Sequence, residues 1–120
     1  MASCVKQELS GGPGDGRLIK VAATGTTGTT IHTAGSVTGT DNYDEIWLWA
    51  VNTTTVSEKL TIEWGTTSAP DDNIELVLSP ENGLITIIPG RVLQNALVVR
   101  AFAAQANVVS LGGYVNQIRA

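Results

Sequence analysis

The sequence contains very few of the side chains on which catalysis and metal binding usually depend. One cysteine, Cys4, and one histidine, His32, stand among 120 residues. A single cysteine excludes a disulfide within the chain and any zinc site built on several cysteines. A single histidine excludes a multi-histidine metal centre, and His32 has no acidic neighbour in the sequence to orient it beside a nucleophile. We therefore expect an ordinary loop or strand histidine, no catalytic residues, no metal site and no cofactor.

Charged residues are also scarce, and the net charge is negative. They make up 15% of the chain, against roughly 25% in an average globular protein. The net charge is −4, and no three of the seven basic residues lie close together in the sequence. Because a protein that follows phosphates needs clustered lysine and arginine, we expect no nucleic-acid partner. A polar but weakly charged surface is compatible with packing against another protein.

Long hydrophobic runs are missing as well. No apolar stretch approaches the roughly 18 residues that would span a bilayer. The first eight residues lack the basic-then-apolar pattern of a secretory signal. We expect a soluble protein with no membrane partner, synthesised in a reducing cytoplasm.

The acidic residues and one glycine-rich segment are the remaining candidates for a ligand site. The acidic residues form two groups, Asp41/Asp44/Glu45 and Asp71/Asp72/Glu75. Neither group has the spacing of a calcium loop, and aspartate is common in turns in any case. A glycosidase-type carboxylate pair is conceivable on a β-sandwich, and weak cation binding at a subunit junction stays open. The segment 11–16 lacks the Gly-Lys-Ser/Thr ending of a phosphate loop.

What the sequence does contain is a series of short β-strand patterns separated by turn residues. The patterns lie at 17–23, 30–33, 44–52, 59–64, 73–78, 84–88, 96–103 and 108–118. About eight short strands with turn signals every 8 to 12 residues or so predict an all-β sandwich of antiparallel strands, of which a jelly roll is one form. We place this single domain at residues 17–120. Residues 1–16 end in a segment rich in glycine and proline, which predicts a flexible N-terminal arm.

The pattern at 44–52 is apolar on both faces. One face carries Ile46, Leu48 and Ala50, and the other carries Trp47, Trp49 and Val51. A strand with two apolar faces is expected to be covered on both sides.

The next pattern, 59–64, alternates between apolar and polar residues. Leu60, Ile62 and Trp64 are expected to face the core, and Lys59, Thr61 and Glu63 are expected to face water. The short connection at 52–57 predicts that this strand and the one at 44–52 pair as an antiparallel hairpin.

The tryptophans allow more than one interpretation. Trp64 shares its predicted face with aliphatic residues, which favours the core. Trp47 and Trp49 belong to a core, to a subunit interface or to a platform that stacks sugar rings. Their spacing of two places them beside Val51, and we favour a core or an interface over sugar binding.

Several segments between residues 40 and 118 share one pattern. A strand ends in Val-Asn-Thr at Thr53, a second ends at Gly65, a Pro-Gly turn follows at Pro89, and then come Val-Arg-Ala-Phe-Ala at 99–103 and Gly-Tyr-Val-Asn-Gln-Ile at 113–118. This pattern resembles small virion structural proteins of tailed bacteriophages, of the head decoration (cement) type.

The resemblance implies a β-sandwich that assembles as a homotrimer or another small oligomer on the outer capsid surface. Such a protein would bind the major capsid protein and stabilise the head without catalysing a reaction. The residues that we expect at subunit contacts are Trp47, Trp49, Val51, Phe102 and Tyr114. The residues that we expect at capsid contacts, in the N-terminal arm, are Lys6, Gly11, Gly12, Pro13, Gly14 and Arg17. Two alternatives stay open, another phage structural component (tail, neck or head fibre) and a carbohydrate-binding adhesin module.

Overall fold

The computed structural model describes residues 3–36 and 42–119, and every helix or strand assigned in those ranges is a β-strand. The strands are β1 Ser3–Glu8, β2 Ile19–Lys20, β3 Thr29–Thr33, β4 Tyr43–Asn52, β5 Glu58–Gly65, β6 Asn73–Leu78, β7 Ile85–Leu93, β8 Val98–Ala103 and β9 Val109–Arg119. The prediction of an all-β sandwich of antiparallel strands is confirmed.

The strands form two antiparallel sheets that pack face to face. The front sheet has the order β1-β9-β4-β7, with β2 also paired to β9, and the back sheet has the order β3-β8-β5-β6. The pairs β2–β9, β3–β8, β4–β7 and β5–β6 are nested around the connection between β5 and β6. The chain from β2 to β9 is therefore one long hairpin wrapped across two sheets, which is the jelly-roll arrangement. Strand β1 is an addition beside β9, outside these four pairs.

The core lies between the two sheets, and β4 shows why the sequence folds this way. Its residues alternate between buried and half-buried along its whole length, as the period of a strand requires. Ile46 and Leu48 are fully buried, as are Leu60 and Ile62 on β5 in the opposite sheet. Each such aliphatic side chain contributes roughly 1.5–3 kcal/mol by leaving water.

The predicted hairpin between β4 and β5 is wrong, because these strands lie in different sheets. The connection between them crosses from the front sheet to the back sheet. The buried side chain of Asn52 holds this crossing, since its Nδ2 donates to the carbonyl oxygens of Val56 at 2.8 Å and of Leu78 and Ser79 at 3.2 Å. A short connection favours a hairpin only when both strands stay in one sheet.

The prediction that Thr61 and Glu63 face water is also wrong, whereas Lys59 is exposed as expected. Thr61 is 2% exposed and Glu63 is 1% exposed. The loop between β2 and β3 supplies hydrogen bonds to the Glu63 carboxyl group: the backbone N–H of Gly28 donates to Oε1 at 2.7 Å, and the Thr26 hydroxyl donates to Oε2. A strand pattern alone does not show that a loop will cover its polar face.

The prediction of a flexible arm over residues 1–16 is wrong for residues 3–8. These form β1, which pairs antiparallel with β9 from Ser3 opposite Arg119 to Glu8 opposite Tyr114. All six side chains of β1 are exposed, so the strand is held by backbone hydrogen bonds that leave no hydrophobic pattern in the sequence. The glycine-rich part, residues 11–16, makes the turn into β2, a strand shorter than the predicted 17–23.

Candidate interaction surface

Three aromatic side chains meet on the outer face of the front sheet. Strands β4 and β9 lie side by side with Trp47 opposite Tyr114 and Trp49 opposite Gly112. The ring centroids of Trp47, Trp49 and Tyr114 are 6.3, 6.2 and 5.9 Å apart in the pairs 47–49, 47–114 and 49–114, and the ring planes differ by 21°, 13° and 29°. Because the three distances are nearly equal, each ring neighbours both others, whereas a column would separate its outer rings about twice as far. We call these three half-buried side chains the aromatic patch.

Polar groups border the aromatic patch. The indole Nε1 of Trp47 donates to Glu45 Oε1 at 2.9 Å, and Nδ2 of Asn116 donates to the same oxygen at 3.0 Å. These two hydrogen bonds, the one from Trp47 first, hold the pKa of Glu45 below its usual value. On another side the Lys6 ammonium lies 4.5 Å from the Tyr114 ring centroid, within cation–π range. The patch thus has a carboxylate on one side and an ammonium group on another.

Two glycines allow the backbone and the rings to approach this closely. A Cβ added to Gly113 would lie 1.9 Å from the carbonyl oxygen of Trp47. A Cβ added to Gly90, on β7, would lie 2.9 Å from Cζ2 of the Trp47 indole, and the φ of Gly90 is +82°. The indole of Trp47 therefore packs against the backbone of β7 at a position that only glycine can occupy.

The five residues predicted at subunit contacts do not all lie together. Trp47, Trp49 and Tyr114 form the aromatic patch, and Val51 lies farther along the same face of β4, opposite Ser110. Phe102 lies on β8, in the back sheet. It lines a shallow depression with Thr61 and with the exposed ion pair Lys59–Glu75 (3.4 Å). Four of the five residues therefore share the outer face of the front sheet and Phe102 does not, since alternation along a strand does not reveal to which sheet the strand belongs.

The residues predicted at capsid contacts lie at one edge of the front sheet. Lys6 belongs to β1, and Gly11, Gly12, Pro13, Gly14 and Arg17 belong to the β1–β2 turn. This turn is tied down, because the N–H of Gly11 donates to the Ile31 carbonyl at 2.9 Å and the N–H of Arg17 donates to the Gly14 carbonyl at 3.1 Å. Pro13 and Arg17 are exposed within it.

Sequence reasoning missed a buried polar network between the two sheets. His32 Nε2 lies 2.7 Å from Asp44 Oδ2, and Nη2 of Arg119 donates to Asp44 Oδ1 at 3.1 Å. The backbone N–H of Ser10 donates to His32 Nδ1 at 3.1 Å. Since Nδ1 accepts, a neutral His32 carries its proton on Nε2 and donates it to Asp44. The four residues come from separate parts of the chain, so no local spacing signals the network.

This network contains a serine, a histidine and an aspartate, but its geometry differs from that of a nucleophilic triad. A triad needs the serine hydroxyl to donate to the histidine. Here the hydroxyl oxygen of Ser10 accepts from the backbone N–H of Thr33 at 2.8 Å, and the histidine nitrogen that faces Ser10 is occupied by the backbone N–H. The arrangement ties the segment after β1 to β3, β4 and β9.

Neither acidic group of the sequence forms a metal-binding cluster within the described residues. No group of three or more histidine, cysteine, aspartate or glutamate side chains is placed there to hold a metal ion. Asp41 lies outside the described residues, Asp44 belongs to the buried network, and Glu45 borders the aromatic patch. In the same ranges no helix is long and apolar enough to cross a membrane.

Comparisons of the chain with protein-family models, with curated proteins and with solved structures find no match.

Proposed function

We propose that this protein is a bacteriophage head decoration protein that acts by surface association and catalyses no reaction. In this proposal it binds the major capsid protein on the outer capsid surface and stabilises the head. The outer face of its front sheet forms the contact between copies in a homotrimer or another small oligomer. The observation that carries the proposal is the aromatic patch, three large, partly exposed side chains in one place on a weakly charged protein.

The composition of the aromatic patch suits a protein interface. Tryptophan and tyrosine are enriched where protein partners bury their contact centres, and they supply much of the binding free energy there. Glu45 and Lys6 stand at the border of the patch, where charges favour one orientation of a partner over others. In a closed symmetric oligomer every copy can use the same patch.

The fold and the sequence pattern support a location on a phage capsid. Jelly rolls recur in viral capsid domains and in lectins. A fold does not by itself specify a function, and the resemblance of residues 40–118 to phage virion proteins is what favours the capsid. The front sheet carries most of the residues in that resemblance.

Capsids that lack this protein provide the direct test. We expect wild-type protein to bind them saturably and to raise the temperature at which they lose DNA. Trp49→Ala should bind at least about 10-fold more weakly, which corresponds to about 1.4 kcal/mol, because copies that no longer associate bind the capsid one at a time and lose the gain from linked binding. Phe102→Ala, on the opposite face, is the matched control and should bind as the wild type does. Absence of wild-type binding, or equal losses in both variants, would contradict the proposal.

Carbohydrate binding is the second candidate, and one observation favours it. The carboxylate of Glu45 and the amide of Asn116 lie directly beside the rings, as hydrogen-bonding groups do in sites that stack sugars on aromatic faces. Tryptophan emission titrated with host cell-surface polysaccharide separates the two functions. A saturable shift that Trp49→Ala abolishes would establish glycan binding, whereas unchanged emission would favour the subunit contact.

A further inference from the structure

We propose that β1 is exchanged between copies of this chain, so that residues 3–8 of one copy pair with β9 of the next. This inference deepens the proposed function and rests on its self-association. It identifies the segment that links the copies and the strand that receives it. A second copy of this chain is the only partner in the proposal.

The attachment of β1 to its own copy involves almost no side-chain burial. All six of its side chains are exposed, including Val5 at 49%. Six residue pairs connect it to β9. Its side chains make the Lys6–Tyr114 cation–π contact, and Glu8 Oε1 accepts a hydrogen bond from the N–H of Asp15 at 3.2 Å. The eight strands β2–β9 complete the jelly roll without it, so its departure would open no core.

The chain is held in place immediately after β1, so only the junction between this strand and the next residue can act as a hinge. Leu9 is 7% exposed and belongs to the core. Ser10 is held from both sides, because its N–H donates to His32 and its hydroxyl accepts from the N–H of Thr33. A change of direction confined to the junction between Glu8 and Leu9 would therefore move β1 and leave the roll intact.

If β1 left its own copy, the edge of β9 that it covers could pair with the β1 strand of another copy. Over residues 114–118, β9 has β4 on one side and β1 on the other. Without β1 this stretch is an open edge, which pairs readily with another strand. The β1 of a second copy restores the same backbone ladder, the same register and the Lys6 contact to Tyr114. Exchange thus loses few contacts, and burial of the neighbouring aromatic patches would favour the associated form.

The only cysteine of the chain makes the exchange measurable. Cys4 lies on β1 directly opposite Ile118 of β9. In Ile118→Cys, mild oxidation should join position 4 to position 118 wherever the two strands pair. Wild-type protein controls for bridges between two Cys4 residues, and Cys4→Ser combined with Ile118→Cys controls for bridges between two residues at position 118.

Light scattering of the reduced variant and a non-reducing gel after oxidation decide the outcome, with peptide mass mapping of the bridge. We expect an oligomer whose chains are mostly joined 4-to-118 into covalent dimers or trimers, with both controls remaining single chains. An oligomer whose bridges lie within single chains would overturn the exchange and leave the self-association standing. A monomer with bridges within the chain would overturn both. Absence of any 4-to-118 bridge would overturn the exchange, because the strands would not pair in the required register.

Discussion

The two outer faces of this jelly roll differ in how their side chains are covered. On the back sheet, the loop between β2 and β3 covers Glu63, and an ion pair between Lys59 and Glu75 stands beside it. On the front sheet, three aromatic rings stay partly exposed, with a carboxylate and an ammonium group at their border. On the back face a loop of the same chain thus buries a polar side chain, whereas on the front face the aromatic rings stay half-buried.

The largest expected effect concerns the strand pairing on which the aromatic patch depends. Gly113→Ala would place a Cβ 1.9 Å from the carbonyl oxygen of Trp47, so β4 and β9 would have to separate. We expect the free energy of unfolding in urea to fall by about 3 kcal/mol. Gly112→Ala is the matched control. Its Cβ would lie 2.7 Å from Cδ2 of Leu18, a side chain that can move, and we expect a loss of at most about 1 kcal/mol. Equal losses would show that close backbone approach does not set the geometry of the front face.

A medium effect on stability is expected where the loop between β2 and β3 covers Glu63 on the back sheet. Glu63→Ala removes the acceptor for the N–H of Gly28 and for the Thr26 hydroxyl, and we expect it to lower the free energy of unfolding by about 1–3 kcal/mol. The Gly28 amide should exchange its hydrogen faster as the loop detaches. Glu75→Ala removes a carboxylate from an exposed ion pair of the same sheet and should lower stability by less than about 1 kcal/mol. If the Gly28 amide exchanges equally fast in both variants, the loop is held by something other than Glu63.

The smallest effect is a pH dependence at the border of the aromatic patch. The pKa of Glu45 is lowered in the folded protein by its hydrogen bonds from Trp47 and Asn116. Its stabilising contribution is therefore fully present above the unfolded pKa of about 4.3 and is lost as the pH falls through the folded pKa. An NMR titration of the Glu45 carboxyl carbon should give a midpoint below that value. Trp47→Phe should raise the midpoint, since the indole donor is lost while an aromatic ring remains. An unchanged midpoint would exclude the Trp47 hydrogen bond as the main cause.

The sequence predicted best which side chains share a face of a strand, because the two-residue period of a strand alone decides this. Alternation along β4 placed Trp47, Trp49 and Val51 on one face and Ile46, Leu48 and Ala50 on the other, as the structure has them. The same pattern did not show that Phe102 belongs to the other sheet, because sheet membership depends on the wrapping of the whole hairpin. It also did not show the burial of Glu63, which a loop about 35 residues away covers.

Two further features were beyond local reasoning as well. The contact between His32 and Asp44 joins strands of opposite sheets, and each residue alone fits an ordinary strand. Strand β1 pairs through its backbone while its side chains stay exposed, so no hydrophobic pattern in the sequence marks it as a strand. In both cases the stabilising partner is distant in the chain, and the local sequence records nothing of it.

Sedimentation equilibrium tests most directly whether the front face is the surface that a partner covers. The samples are wild type, the double variant Trp47→Ala/Tyr114→Ala, and Phe102→Ala as the control on the back face, each shown to be folded by circular dichroism. We expect wild type and Phe102→Ala to associate with the same affinity. The double variant should associate at least about 100-fold more weakly, which corresponds to about 2.8 kcal/mol. A wild-type protein that stays monomeric, or a double variant that associates as tightly as wild type, would contradict the central claim.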